Sequence, residues 1–197
     1  MQLPHRIVIA TRNPGKVREI LRICSDWPVS WLTSADLHWP EIEETGSTYR
    51  ENAELKARGV AESTGEAALA DDSGIEVDAL GGRPGPRSAR FAGNEADDAE
   101  NLRALLAAVA GVPSGGRTAR YRAVAVLAIP TGEVEASEGT CEGLLRASPA
   151  GRGGFGYDPI FEPLGWERTM AELSDEEKDR ISHRGRALRE LRTSLSG

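Results

Sequence analysis

The chain has 197 residues, with 24 Lys+Arg against 31 Asp+Glu, a formal net charge of −7. That length predicts one domain, 1–197, able to bury about 70% of its unfolded surface without staples. Hydrophobic residues at 39% and charged residues at 28% exclude a disordered chain. The acidic balance excludes a duplex-binding protein held by counterion release, so no nucleic-acid partner is expected. The longest fully apolar run, 123–129, is too short to span a membrane. Residues 1–6 lead into only four apolar residues, so no signal-peptide core is expected. Cys24 and Cys141 lie far apart with no C-x-x-C, which predicts two reduced thiols in a cytoplasmic protein. Three histidines give no basis for a structural zinc site.

In chain order, residues 7–10 form an apolar run of the buried-strand kind. A polar loop from Thr11 to Lys16 follows, and Val17, Ile20, Leu21 and Cys24 then recur at helical spacing. After a stretch rich in Trp and acid, Ala53, Ala57, Val60 and Ala61 mark a second helix. Residues 67–70 predict a buried strand that stops at Asp71, Asp72, Ser73 and Gly74. A loop dense in Gly, Pro and Arg occupies 81–93, and Leu102, Leu105, Leu106 and Val109 mark a third helix. Residues 121–129 and 133–142 flank Pro130, Thr131 and Gly132, a hairpin signal. A glycine-rich loop over 151–159 precedes a capping box of Ser174 and Glu177, and Ile181, Leu188, Leu191 and Leu195 continue a helical stripe. Strand–helix units with one hairpin predict an α/β fold with a mixed sheet.

Four features could carry chemistry. Thr11, Asn13 and Lys16 sit between a strand and a helix. They form either an ordinary turn or an anion site built from helix N–H groups, short donors and a cation. The P-loop pattern is absent, so a kinase or GTPase reading fails. Asp71 and Asp72 end an apolar strand. They are either an Asx-type turn or carboxylates facing Mg²⁺ and a phosphate substrate, since open α/β sheets place ligands at strand ends. Glu43 and Glu44 are a solvated acidic loop or a source of a further carboxylate. Arg83, Arg87, Arg90 and Arg152 occupy loops, while Lys178, Arg180, His183, Arg184 and Arg186 crowd one short window. The latter form a basic face paired with Glu172, Glu176 and Glu177, or they recognise anionic oxygens. The glycine at 185 favours function over a bland helix. Phe155, Gly156, Tyr157 and Asp158 are a core aromatic pair beside a turn, or a platform on which a base stacks. Carboxylates for a metal, cations for phosphates and an aromatic platform together describe a nucleoside polyphosphate site.

These residues form a set of motifs in order. They are Thr11-x-Asn13-x-x-Lys16; Glu44-Thr45-Gly46 with Glu51-Asn52-Ala53 and Lys56; Ala70-Asp71-Asp72-Ser73-Gly74; Gly81-Gly82 through Ser88-Ala89-Arg90; Gly154-Phe155-Gly156-Tyr157-Asp158-Pro159; and Ser182-His183-Arg184-Gly185. The set closely resembles the inosine/xanthosine triphosphate pyrophosphatases, house-cleaning enzymes for non-standard purine nucleotides, over about 7–191. The resemblance implies a two-lobed α/β fold with a long mixed sheet, flanking helices and the active site in the cleft between lobes. It also implies a homodimer and Mg²⁺-dependent hydrolysis of ITP, dITP and XTP to monophosphate plus pyrophosphate. Carried over, Thr11, Arg12, Asn13, Pro14, Gly15 and Lys16 would hold the triphosphate, with Lys56 nearby and Ser73 and Arg90 touching substrate. Asp72 would be the proton acceptor and a metal ligand, with Glu44 as the second carboxylate. Phe155, Gly156, Tyr157 and Asp158 would cradle the base, and Lys178, His183 and Arg184 would complete its recognition. Arg12 stands where many relatives carry a small residue, and the Trp-rich stretch 26–39 matches no motif. The alternatives are a pyrophosphatase for modified pyrimidine nucleotides and a nucleotide-binding regulator that does not hydrolyse.

Overall fold

The computed structural model describes residues 1–195; residues 196 and 197, included in the single-domain expectation, lie outside the described residues. In chain order the main elements are β1 (Arg6–Ile9), α1 (Pro14–Ile23), β2 (Ser30–Leu32), α2 (Tyr49–Thr64) and β3 (Ala67–Val77). There follow α3 (Asp98–Ala108), β4 (Thr118–Ala128), β5 (Val134–Leu145), β6 (Phe161–Pro163), α4 (Asp175–Ile181) and α5 (His183–Leu195). The strands form one mixed sheet in the order β2-β1-β3-β4-β5-β6. β1 pairs in parallel with β2 and β3, whereas β5 and β6 are antiparallel. The α/β expectation with a mixed sheet holds. β4 and β5 are joined at the expected turn, where Ile129 N–H donates to the Glu133 carbonyl and Gly132 takes a φ of 99°. Among the described residues no helix is long and apolar enough to cross a membrane. Cys24 and Cys141 are buried and not joined to each other.

Two compact units divide the chain. The first holds Met1–Asp72, Ala123–Gly139 and the residues from Arg184 onward; the second holds Ser73–Arg122 and Thr140–His183. In the first unit the strand period of two sorts side chains onto two faces. Ile7, Ile9, Ala67, Leu69, Ala123, Ala125 and Leu127 pack with Ile20 of α1 and Ala187, Leu188 and Leu191 of α5. Val8, Ala10, Ala68, Ala70, Val124, Val126 and Ala128 pack with Ala53, Ala57, Val60 and Ala61 of α2. In the second unit Ile75, Leu105, Tyr121, Ile160, Phe161 and Met170 anchor one core.

One sequence expectation needs correction. The strand does not stop before Asp71: β3 runs on through Asp71, Asp72, Ser73 and Gly74 to Val77. Asp and Gly are poor strand formers, but pairing within a sheet overrides that weak preference. The Asx-turn reading falls with it. The C-terminal stripe is interrupted at Ser182, which closes α4 in extended conformation, and Gly185 lies inside α5. The Ser174–Glu177 capping box is present as expected.

Candidate active site

The alternation that sorts the core also separates the two aspartates. Asp71 continues the face of Ala67 and Leu69 that meets α1 and α5; Asp72 continues the face of Ala68 and Ala70 that meets α2. Adjacent in sequence, they therefore meet different partners. Asp71 accepts from Arg184 through Nε at 3.0 Å and Nη2 at 2.8 Å, and Lys16 Nζ lies 3.3 Å from its other oxygen. The third group on Arg184 is Glu19 of α1, at 2.5 Å from Nη1. Burial would push the Asp71 carboxyl up, but Arg184, then Lys16 and Lys56, outweigh it and hold it well below the usual carboxylate range.

Asp72 faces Lys56, whose Nζ lies 3.1 Å from Asp72 Oδ1 and 3.0 Å from Glu44 Oε1 and also donates to the Asp71 carbonyl. Asn52 Nδ2 approaches Asp72 Oδ2 at 3.4 Å. Burial raises the Asp72 carboxyl above its ordinary value, and Glu44 adds to that, against the pull of Lys56 and Lys16. Burial would lower Lys56, but Asp72, Glu44 and Asp71 together raise it. Lys16 moves the other way, lowered by burial and by its cationic neighbours Lys56 and Arg184 in spite of Asp71. Glu44 thus joins Asp72 around one cation, the Lys56 ammonium.

The loop before α1 differs from the expected anion site. Pro14 has no N–H, the N–H groups of Gly15 and Lys16 both donate to Asn13 Oδ1, and Val17 N–H donates to the Asn13 carbonyl. Thr11 Oγ1 in turn accepts from Asn13 N–H. The helix start is capped by its own asparagine, so its first N–H groups are not left unpaired for an anion. What the loop offers is the Lys16 ammonium. Arg12 is directed to Trp39, with Nη2 donating to the carbonyl at 2.6 Å. Ser73 is half-buried in β3.

The second unit gathers the remaining residues. Asp158 Oδ2 accepts from Phe155 N–H at 2.9 Å and from Lys178 Nζ, and that ammonium lies 5.1 Å from the Phe155 ring centre. Gly156 N–H donates to Asp98. His183 stacks on Tyr121 with ring centres 4.5 Å apart and planes at 8°, and Tyr121 packs on Phe161. Tyr157 is not a stacking platform: its ring is buried in the core and its hydroxyl donates to the Ser88 carbonyl. Phe155 is half-exposed and is the aromatic of this loop open to a ligand. Arg90 is exposed, as are Arg83, Arg87 and Arg152.

The sequence pattern of the Ham1 family matches residues 7–194. The chain belongs to the Ham1 family. Among curated relatives it is 50% identical over 189 residues to a dITP/XTP pyrophosphatase of Streptomyces coelicolor, covering 94% of each chain. It is 47% identical over 194 residues to a dITP/XTP pyrophosphatase of Desulforamulus reducens, covering 97% of this chain and 96% of that one. A HAM1 protein from Coxiella burnetii has a solved structure that superposes with a TM-score of 0.87 at 40% identity. The match covers 100% of this chain and 99% of that one.

In this Ham1 family member, Arg184 is engaged by carboxylates. It belongs to the first unit, fully buried between Asp71 and Glu19. A guanidinium can satisfy two carboxylates at once through its fork, which is the physical reason it is held there. Sequence reasoning missed Glu19. Its one signal is a carboxylate one residue before Ile20 on a helix whose Val17, Ile20 and Ile23 face the core. Asn52 also went without a role, though its side chain both approaches Asp72 and accepts from Gly46 N–H at 2.8 Å.

Proposed function

We propose that this Ham1 family member hydrolyses non-standard purine nucleoside triphosphates (dITP, ITP, and XTP or dXTP) to the monophosphate and pyrophosphate in a Mg²⁺-dependent reaction. The observation that carries this reading is the Lys56 ammonium held between Asp72 and Glu44, with Lys16 on Asp71 beside them. The names of the relatives supply the substrate class.

The charge balance calls for a further cation. Lys16, Lys56 and Arg184 face Asp71, Asp72, Glu44 and Glu19, leaving one net negative charge before any phosphate arrives. Among the described residues no three His, Cys, Asp or Glu side chains group as a metal cage. Mg²⁺ does not need one, because it takes one or two carboxylates and completes its shell with water and phosphate oxygens. Asp72 and Glu44 would hold it, since their oxygens already converge on one cation. When bound it supplies charge neutralisation at the phosphates and a more acidic water.

Asp72 accepts the proton of the attacking water as that oxygen bonds to the α-phosphorus. The bond from the α-phosphorus to the bridging oxygen breaks, and its electron pair leaves with pyrophosphate. Lys16 and Lys56 take up the charge that develops there. Phe155 offers a ring for stacking, and Lys178 and His183 serve as donors to the 6-oxo group shared by hypoxanthine and xanthine. Adenine would leave those donors facing an amino group, an unpaired contact that supports strong discrimination.

Gly154 makes the base loop sensitive. Its φ is 69°, and a Cβ there would collide with the Asp158 carboxylate and crowd Lys178 Nζ at 3.0 Å. Gly154→Ala is expected to raise the dITP KM on the order of tenfold, the scale of one overpacked contact. Steady-state kinetics, with kcat at saturation little changed, checks it.

The direct test is release of pyrophosphate from equal dITP, XTP, dGTP, dATP and dTTP, with Mg²⁺ and with EDTA. Release from dITP and XTP that EDTA abolishes is the expected result. Release from dTTP instead would change the base assignment, and tight dITP binding without turnover would make the protein a regulator. The same reading makes the protein a cytoplasmic homodimer, which light scattering at twice the chain mass would support.

A further inference from the structure

Residues 33–48 are neither helix nor strand, yet they carry Glu44. Among the described residues, 38–42 make no backbone–backbone hydrogen bond, and Pro40 has no N–H to contribute one. Lys56 on Glu44 and Asn52 on Gly46 hold its far end, and three side-chain ties hold 38–42. Trp39 is buried with Val8, Ala10, Ala53 and Ala57. Ile42 lies so close to α2 that a Cβ on Gly59 would fall 2.6 Å from its Cδ1. The third tie is polar: Arg12 Nη2 donates to the Trp39 carbonyl at 2.6 Å, with its guanidinium 5.9 Å from the indole centre.

We propose that Arg12 is a positioning residue, a strap from the β1–α1 loop that fixes Trp39 and through it the placement of Glu44. This rests on the reading of Glu44 as a metal carboxylate. The chain from Trp39 to Glu44 is five residues, so its reach is short, at most about 3.5 Å per residue, and a displaced Trp39 carries Glu44 with it. A carbonyl next to a buried ring needs a donor, and a charged one binds it more strongly than a neutral one. Arg12, a departure within its motif, and Trp39, the end of the stretch that matched no motif, thereby explain each other. The loop holding Lys16 is coupled to the segment holding Glu44.

The test uses the full chain as wild type, Arg12→Met, Arg12→Lys and Glu44→Gln, and reads hydrogen exchange with no ligand present at the segment's two bonded amides, Thr45 on the Glu43 carbonyl and Gly46 on Asn52 Oδ1. It also reads the Mg²⁺ concentration for half-maximal pyrophosphate release and the dITP KM at saturating metal. Arg12→Met is expected to speed exchange of the segment and to raise the metal requirement, each about tenfold, the scale of one charge-assisted hydrogen bond. The KM should stay within roughly twofold, since uniform substrate binding is untouched. Arg12→Lys, which keeps the charge without the planar fork, should restore part of both. Unchanged exchange in Arg12→Met overturns the strap. If the KM rises in that case, Arg12 is a phosphate contact. Glu44→Gln must raise the metal requirement by itself; if it does not, the metal reading fails while the exchange result still decides the strap.

Discussion

Asp72→Asn is expected to lower kcat about a thousandfold, within the range of a lost general base, while dITP binding survives. Asn keeps the shape and can still bond Lys56, so the fold should hold. It cannot take a proton from water, and it removes one of the two carboxylates that converge on Lys56. The measurement is single-turnover pyrophosphate release at saturating Mg²⁺, beside calorimetric binding of dITP. Near wild-type turnover would place the base elsewhere. Weak binding with normal turnover at saturation would make Asp72 a binding group only.

Arg184→Met should be the most destabilising change in the first unit. It leaves the Asp71 and Glu19 carboxylates buried without the guanidinium they share. Breaking a buried pair in this way costs about 3–5 kcal/mol, which for a chain of this size is a fall in Tm of about 10 °C. Arg184→Lys should recover only part of that, because an ammonium cannot bond both carboxylates through a fork. Arg184→Met combined with Glu19→Leu should recover more, since one of the two stranded charges is gone. The measurement is thermal unfolding of the three variants without ligand. An unchanged Tm in Arg184→Met would return Arg184 to the role of a base donor, visible then only as a raised KM.

Local pattern accounts for much of what the chain revealed before its structure. Apolar runs at 7–10 and 67–70, helical stripes from Val17, Ala53 and Leu102, and the Pro130–Gly132 turn are short-range signals, and each produced the element expected. Lys16, Lys56, Asp72 and Glu44 came together as a set through the family resemblance, since residue type alone left Glu43 and Glu44 either a solvated acidic loop or a further carboxylate. What the structure adds there is geometry, with one ammonium held between two carboxylates.

Other features depend on residues far apart in sequence. Asp71 and Asp72 read as adjacent carboxylates at a strand end, either turned towards one metal or forming a turn. In the sheet they are mid-strand neighbours directed to opposite faces, because side chains alternate along a strand. Arg184 read as part of a basic window, yet its partners Asp71 and Glu19 lie 113 and 165 residues away. Tyr157 read either as a core ring or as a stacking one; its hydroxyl reaches Ser88, 69 residues away, and its ring completes a core.

The sequence by itself determined the main element types, the acidic character of the composition and the inventory of chemical groups, all of which follow from local spacing and residue type. Only the tertiary structure decided which carboxylate meets which cation, which aromatic stays open to a ligand and which polar groups are consumed in capping a helix. Those choices depend on which distant segments the sheet and its helices bring within hydrogen-bond reach, and no local spacing encodes them.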